Sequence, residues 1–259
     1  MAVHSGGQSV CAFDASAYWR RRLRDDPSLT GVGTRPFGAT YQRYLYRLKE
    51  AAIGRILRAG QVSLDGASVL NVGCGVGYFE PVFARYGASR VVGVDVAGSC
   101  IERLAARCPE FVYRVMDIGE RLGDVDGGER FDLVTAIDVL YHIVDDGRFD
   151  RAMKNICRLC KPEGAILFTE SPLGSADHSV PHVRHRRIGC YDRILARLGM
   201  RVAARTPMYH FFDRCGAWTR WLARWPNVAF GLMYAVDRSV ASQGWRRDAN
   251  YCALAVRDG

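Results

Sequence analysis

The stretch Val69-Leu-Asn-Val-Gly-Cys-Gly-Val-Gly-Tyr-Phe79 limits what this chain can fold into more than any other. Val69, Leu70 and Val72 form a short apolar run that stops in glycines, the pattern of a buried parallel strand turning into a helix. Glycine at 73, 75 and 77 lets the backbone turn tightly and lets a ligand approach without meeting a Cβ atom. Tyr78 stands where the dinucleotide fingerprint wants a small residue, so nicotinamide and flavin cofactors are disfavoured. No Gly-Lys-Ser/Thr follows, so no lysine reaches for phosphate as in a P-loop.

The surroundings extend the pattern. Arg90-Val-Val-Gly-Val-Asp95 is a second apolar run ending in an acid, where a βαβ unit places a carboxylate for a ribose diol. Phe111-Val-Tyr-Arg-Val-Met-Asp117, Phe131-Asp-Leu-Val-Thr-Ala-Ile-Asp138 with Val-Leu-Tyr-His142 behind it, and Leu159-Cys-Lys-Pro-Glu-Gly-Ala-Ile-Leu-Phe-Thr-Glu170 follow. With these segments the sequence resembles the S-adenosylmethionine (SAM) dependent class I methyltransferases of the small-molecule type, over roughly residues 40 to 170.

Strands are predicted at 68–72, 91–95, 111–115, 131–137 and 164–170, alternating with helices near 78–86, 99–107 and 146–160, with an acidic loop at 117–130. Such alternation gives a parallel sheet with helices on both faces and ligands beyond the carboxyl ends of the strands. A helix at 190–199, stopped by Gly199, precedes strands at 201–212 and 250–256 that should pair antiparallel at one side of the sheet. The expected architecture is α/β and Rossmann-like, a mostly parallel seven-stranded sheet with an antiparallel last strand. Residues 1–60 should form an N-terminal helical cap and 61–259 the SAM-binding domain, with a helical insertion near 213–245.

In the cap, Asp14 and Ser16 can start a helix over 17–24, residues 25–38 read as loop, and Leu45, Leu48, Ala52 and Ile56 recur at helical spacing between Tyr41 and Arg58. In enzymes of the resembled family such helices fold over the cofactor, which makes Tyr18, Trp19, Tyr41 and Tyr44 candidates for the pocket and Arg47 a candidate partner for the methionine carboxylate. The insertion is rich in aromatics, Trp218, Trp221, Trp225, Phe230 and Tyr234, and reads as a cap, packing or dimer surface ahead of a lipid contact.

The resemblance implies SAM as cofactor, with Gly73, Cys74, Gly75 and Gly77 under the methionine portion, Asp95 and Val96 at the ribose, and Met116, Asp117 and Ile118 around the adenine. Asp138 should support the amino-acid moiety or its own loop. His142 leads as general base and Tyr141 stands beside it, because an unshifted imidazole with pKa about 6.5 is largely neutral near pH 7. Glu170 is a further candidate, and bracing of the loop is the alternative role for His142.

The net charge of +9 is uneven: residues 1–60 carry +6, 61–170 carry −5 and 171–259 carry +8. The basic flanks can attract an anionic partner, yet only three of the 36 basic residues are lysine, so a compositional bias toward arginine also accounts for them. Nine scattered cysteines read as reduced thiols, with Cys157 and Cys160 on the inner face of a helix. His182 and His185 lack a carboxylate at helical spacing, so no metal is assigned. No apolar run is long enough to span a bilayer, and a soluble cytoplasmic protein is expected, with a homodimer as a candidate assembly.

Three readings remain open. The first is methyl transfer to a small molecule, as in specialised metabolism, by in-line attack at the sulfonium methyl. The second is a cyclase or lyase that consumes SAM and releases methylthioadenosine. The third is a nucleic-acid methyltransferase or SAM-binding regulator using the basic flanks, disfavoured because no Asp/Asn-Pro-Pro-Tyr/Phe motif is present.

Overall fold

The computed structural model describes residues 13–33, 37–122, 128–170, 180–212, 225–243 and 250–258. The chain runs α1 (Ala15–Asp25), α2 (Leu29–Val32), α3 (Gly38–Ala59), β1 (Ser68–Val72), α4 (Glu80–Arg85), β2 (Arg90–Asp95), α5 (Gly98–Arg107), β3 (Val112–Val115) and β4 (Phe131–Ala136). A 3-10 turn at Leu140–His142 leads to α6 (Asp146–Leu159), β5 (Cys160–Glu170), α7 (Ile188–Arg197), β6 (Met200–Tyr209), α8 (Pro226–Ser242) and β7 (Asn250–Arg257).

The seven strands form one sheet in the order β3-β2-β1-β4-β5-β7-β6. β1 pairs in parallel with β2 on one side and β4 on the other, whereas β7 runs antiparallel to both β5 and β6. The chain therefore reverses its direction of winding between β3 and β4. The crevice at that reversal opens beyond the ends of β1 and β4, where the glycine run begins.

The period of two in β1 sends Val69 and Asn71 toward α3 and α4, and Leu70 and Val72 toward α6. On the first face Leu48, Ile53, Ile56 and Phe83 pack over Val91, Leu133 and Leu254. On the second, Phe149, Met153, Ile156 and Leu195 pack over Val92, Val134 and Phe168. Each such side chain contributes about 1.5–3 kcal/mol relative to leaving it in water, so both faces tie the strand ends rigidly together. At the opposite, amino-terminal ends of these strands Asp132 accepts from Ser68 and Lys161, joining β1, β4 and β5. Burial alone would raise this carboxyl, but Lys161 and the Ser68 donors hold it at about 2.

The expected elements are present with shifted ends. β5 starts at Cys160, because the chain leaves α6 directly into the sheet; the pairing with β4 is irregular there, between Phe131 and Leu133. Cys157 is thus on a helix and Cys160 on a strand, not together on one helix face, and the described cysteines are all free thiols. The stretch 25–38 holds one helical turn, α2, capped by the Ser28 hydroxyl. Of the aromatic insertion, α8 is described, while Trp218 and Trp221 lie outside the described residues. No described helix is long and apolar enough to cross a membrane.

Candidate active site

The glycine loop is tied to the neighbouring strand before it meets any ligand. The N–H groups of Gly73 and Cys74 both donate to the Val94 carbonyl, at 2.7 and 3.0 Å. Asp95, next along β2, accepts from Gly75 N–H and Ala97 N–H, each at 2.9 Å. The three glycines all have positive φ, near +70°, +55° and +76°. A Cβ at Gly73 would lie 2.2 Å from Val139 and one at Gly77 2.4 Å from Leu104, so a side chain is excluded by packing as well as by backbone conformation.

A cavity of about 430 Å³ opens over this loop. Gly73, Cys74 and Gly75 form its floor, and Asp95, Val96, Met116, Asp117 and Ile118 form one end. Asp138 and His142 stand on the β4 side. The donor set suits a nucleoside: each Asp95 oxygen has one backbone donor and keeps a second lone pair for a diol hydroxyl. Burial pushes this carboxyl above its ordinary value, so a hydroxyl donating to it would stabilise the ionised form. Val96, Met116 and Ile118 supply apolar faces for a flat base beside the Asp117 carboxylate.

The roof is α1. Phe13, Ser16, Trp19 and Leu23 face the cavity, and Val32 of α2 comes close to Gly75. Asp14 caps α1 as expected, but Ser16 does something else: its hydroxyl donates to Asp117 at 2.7 Å. Arg148 of α6 donates to the same carboxylate oxygen at 2.6 Å and to Ser16 at 3.2 Å, closing a three-way contact between the roof, Asp117 and α6. Arg20 reaches the Val96 carbonyl, and Arg103 reaches the Leu23 carbonyl at 2.8 Å.

His142 is half-buried against Trp19, with ring centroids 4.6 Å apart, and stacks at 5.7 Å on His182. Its Nδ1–H donates to the His182 carbonyl at 2.8 Å, which leaves Nε2 as the nitrogen with a lone pair. Burial, reinforced by the nearby His182 and Arg22, lowers its pKa to about 4 despite that bond, so the ring is neutral. Asp138, at φ +58°, is held by the Lys49 ammonium and by Thr169, which donates to its carboxylate at 3.1 Å and accepts its N–H at 2.8 Å. Burial opposes ionisation there, but Lys49 and Thr169 win and hold the carboxyl below its ordinary value.

Three expected site residues fall outside the cavity wall. Gly77 serves the close approach of α5, whose Leu104 would meet a Cβ there. Arg47 lies on the exposed face of α3 with its guanidinium 5.8 Å from the Tyr44 ring, outside the cavity wall. Tyr141 turns to His185, at 5.2 Å between centroids. Of the aromatic candidates in the cap, Trp19 lines the cavity; Tyr18 stacks on His182, Tyr41 donates to the Phe212 carbonyl and Tyr44 packs on Tyr234. Glu170 is bound by Arg205 outside the cavity.

Tyr46, Lys49, Glu80 and Arg148 were not anticipated. Tyr46 lines the cavity and its ring carries the Lys49 ammonium at 4.4 Å. Glu80 is fully buried beneath the loop, where Asn71 donates to it at 2.8 Å and Thr135 donates to Asn71 at 2.9 Å. Burial raises the Glu80 carboxyl to about 7.

The sequence family described as "Methyltransferase domain" matches residues 41–227. The ubiquinone biosynthesis O-methyltransferase of Coxiella burnetii (strain Dugway 5J108-111) is 32% identical over 113 residues, 42% of this chain and 45% of that protein. The chain thus spans about half the length of such curated relatives, although the match to the protein of the same name from Xanthomonas campestris pv. campestris, 27% identical, covers 77% of this chain and 80% of the other. Among solved structures, magnesium protoporphyrin IX methyltransferase from Synechocystis PCC 6803 with bound SAM superposes with TM-score 0.62 at 15% identity, covering 96% and 99% of the two chains. The N-methyltransferase NodS from Bradyrhizobium japonicum WM9, in complex with S-adenosylhomocysteine, gives 0.59 at 18% identity, covering 95% and 99%. At those identities the likeness speaks for the fold, and the family match carries the assignment: the chain belongs to the methyltransferase-domain family, among the class I SAM-dependent methyltransferases.

Proposed function

We propose that the chain transfers the methyl group of SAM in line to an oxygen of a small, largely apolar acceptor, with His142 removing the proton. When bound, the cofactor supplies a methyl group activated by its sulfonium sulfur. Asp95 and Asp117 orient the nucleoside, and the Gly73–Gly75 backbone lets the amino-acid arm lie close to the sheet. Phe13, Trp19, Leu23 and Val32 keep water from the reacting atoms. Alignment is the main contribution asked of the protein, and well-oriented reactions gain about 7–11 kcal/mol from it.

The observation that carries the reading is the state of His142. Its tautomer is fixed by the His182 carbonyl, and its pKa near 4 keeps it neutral at any working pH. The same low value makes it a weak base, which suits an acidic hydroxyl such as a phenol better than an alcohol. The mostly apolar wall agrees with that choice, as do the curated relatives, whose names specify O-methyltransferases. Incubation with SAM and a panel of phenols, alcohols and amines, read by mass spectrometry, tests the proposal. S-adenosylhomocysteine formed together with a methyl phenol ether supports it. Methylthioadenosine formed without an acceptor, or methylation confined to amines, overturns it.

A further inference from the structure

α8 exposes apolar side chains in a way that the rest of the described surface does not. Trp225, Val228, Leu232 and Val236 are 73%, 62%, 64% and 50% exposed, and their spacing places them on one side of the helix. The opposite side is already satisfied: Ala229 and Phe230 are buried against α3 and β6. Asp237 there accepts the backbone N–H groups of His210, Phe211 and Phe212 at 2.6 to 3.1 Å. The stripe is therefore surplus to the packing of this chain, and a surplus of this kind marks an interaction surface.

Its border is cationic. Tyr44 of α3 and Tyr234 of α8 lie 5.5 Å apart, with the Arg47 guanidinium 5.8 Å from the first ring and that of Arg238 6.0 Å from the second. Arg238 also donates to the Tyr234 hydroxyl at 2.8 Å. The guanidinium of Arg55 is lowered in pKa by burial and by the proximity of Arg238 and Arg58, which puts these three cations in one neighbourhood. No described carboxylate pairs with Arg47, Arg58 or Arg238. The one acid on α3, Glu50, is bound to Arg85 and Tyr78, and the one acid on α8 is the buried Asp237.

An apolar stripe beside arginines and tyrosines, with no exposed acid on the described parts of α3 and α8 but the Arg85-bound Glu50, points to an anionic lipid surface, on which an amphipathic helix lies with its apolar side in the headgroup boundary. Trp225, the most exposed member of the stripe, is of the residue type that favours that boundary. A second copy of the chain fits less well, because an isologous contact would bring this cationic border, which holds no unpaired carboxylate among the described residues, against itself. A nucleic acid would engage the arginines and leave the stripe in water. The geometry points to α8, with the neighbouring arginines of α3, as a docking surface for anionic bilayers. This goes beyond the proposed reaction and holds whatever the acceptor is.

The test is flotation of the full chain with phosphatidylcholine vesicles, with and without about one third phosphatidylglycerol. The protein should float with the anionic vesicles only, and raising the salt should weaken the association. Val228→Ser with Leu232→Ser, both exposed, should lower partitioning about tenfold, and Arg47→Gln with Arg238→Gln should do the same at low salt. Circular dichroism and SAM affinity should stay at the wild-type level in both variants. Failure to float on any vesicle, or equal flotation by the variants, overturns the proposal. So does a stable dimer that Val228→Ser and Leu232→Ser dissociate, which gives the stripe to a second copy. Binding to single-stranded RNA that is unchanged in the serine variants and displaces the vesicles also overturns it.

Discussion

The Nδ1–H of His142 donates to the backbone carbonyl of His182 at 2.8 Å, so the loop after β5 determines which nitrogen of the imidazole is free. Because the bond is to a carbonyl, which only accepts, Nδ1 must carry the proton and Nε2 must be the basic atom. His142→Ala should lower kcat by about 10²- to 10⁴-fold with SAM affinity unchanged. A wild-type rate, measured with an acceptor found in the panel, would remove the base role.

The pH dependence follows from the same residue. The folded pKa of about 4 lies below the ordinary imidazole value of about 6.5, so between the two the unfolded chain binds more protons than the folded one. This group's contribution to stability is complete above pH 6.5 or so and declines as the pH falls through that window. The acid limb of kcat/KM should accordingly sit near pH 4, and His142→Gln should abolish it. An acid limb near pH 6.5 in the wild type would contradict the burial of the ring.

Glu80 has the opposite sign. Its carboxyl is raised to about 7, so between the ordinary value near 4.3 and neutrality the folded chain holds a proton that the unfolded chain has lost. Stability should fall as the pH rises through this range and level off above it. Glu80→Gln, which keeps an acceptor for Asn71, should flatten the fall and raise the midpoint of denaturation at pH 8 by up to the equivalent of about 3 kcal/mol. Urea titrations at pH 5 and pH 8 check this; identical curves for both proteins at both values would contradict it.

Asp95→Ala removes the acceptor for two backbone N–H groups and the carboxylate proposed to receive the ribose hydroxyls. Charge-assisted hydrogen bonds contribute about 1.5–3 kcal/mol each, so SAM affinity should drop about 10- to 100-fold or more in calorimetry. Unchanged affinity would move the nucleoside elsewhere.

Gly77→Ala distinguishes packing from ligand contact. With φ near +76° and Leu104 2.4 Å from the new Cβ, the substitution should cost about 1–3 kcal/mol of stability. SAM affinity, measured at a temperature where the variant is folded, should change less than in Asp95→Ala, because Gly77 is outside the cavity wall.

The sheet and the cofactor loop were legible because both are written in short-range chemistry. An apolar run with glycines at its end can hardly be anything other than a buried strand feeding a turn, and an acid at the next strand's tip shares its end of the sheet. The helical faces were harder. Arg47 was the candidate partner for the methionine carboxylate, but it lies outside the cavity wall, while Lys49, two residues on, reaches inward to Asp138. Two residues along a helix are about 200° apart. Leu45, Leu48, Ala52 and Ile56 already define the buried arc, and Lys49 falls within it while Arg47 falls opposite.

Glu80 and Arg148 were invisible for another reason. Each finds its partner through the fold, Glu80 under a strand nine residues upstream and Arg148 across to Asp117 and α1, and neither contact has a spacing signature. His182 belongs with them, since its working atom is a backbone carbonyl that any residue type would carry.

The Asp117 carboxylate touches both the helix that covers the crevice and the arginine behind it. A ligand amine that donated to the shared oxygen would compete with Ser16 and Arg148, so its binding and the hold on α1 would be coupled with opposite sign. The covering helix is thus fastened to the cavity wall through a single carboxylate oxygen, and loss of that oxygen, as in Asp117→Asn, would loosen helix and wall together.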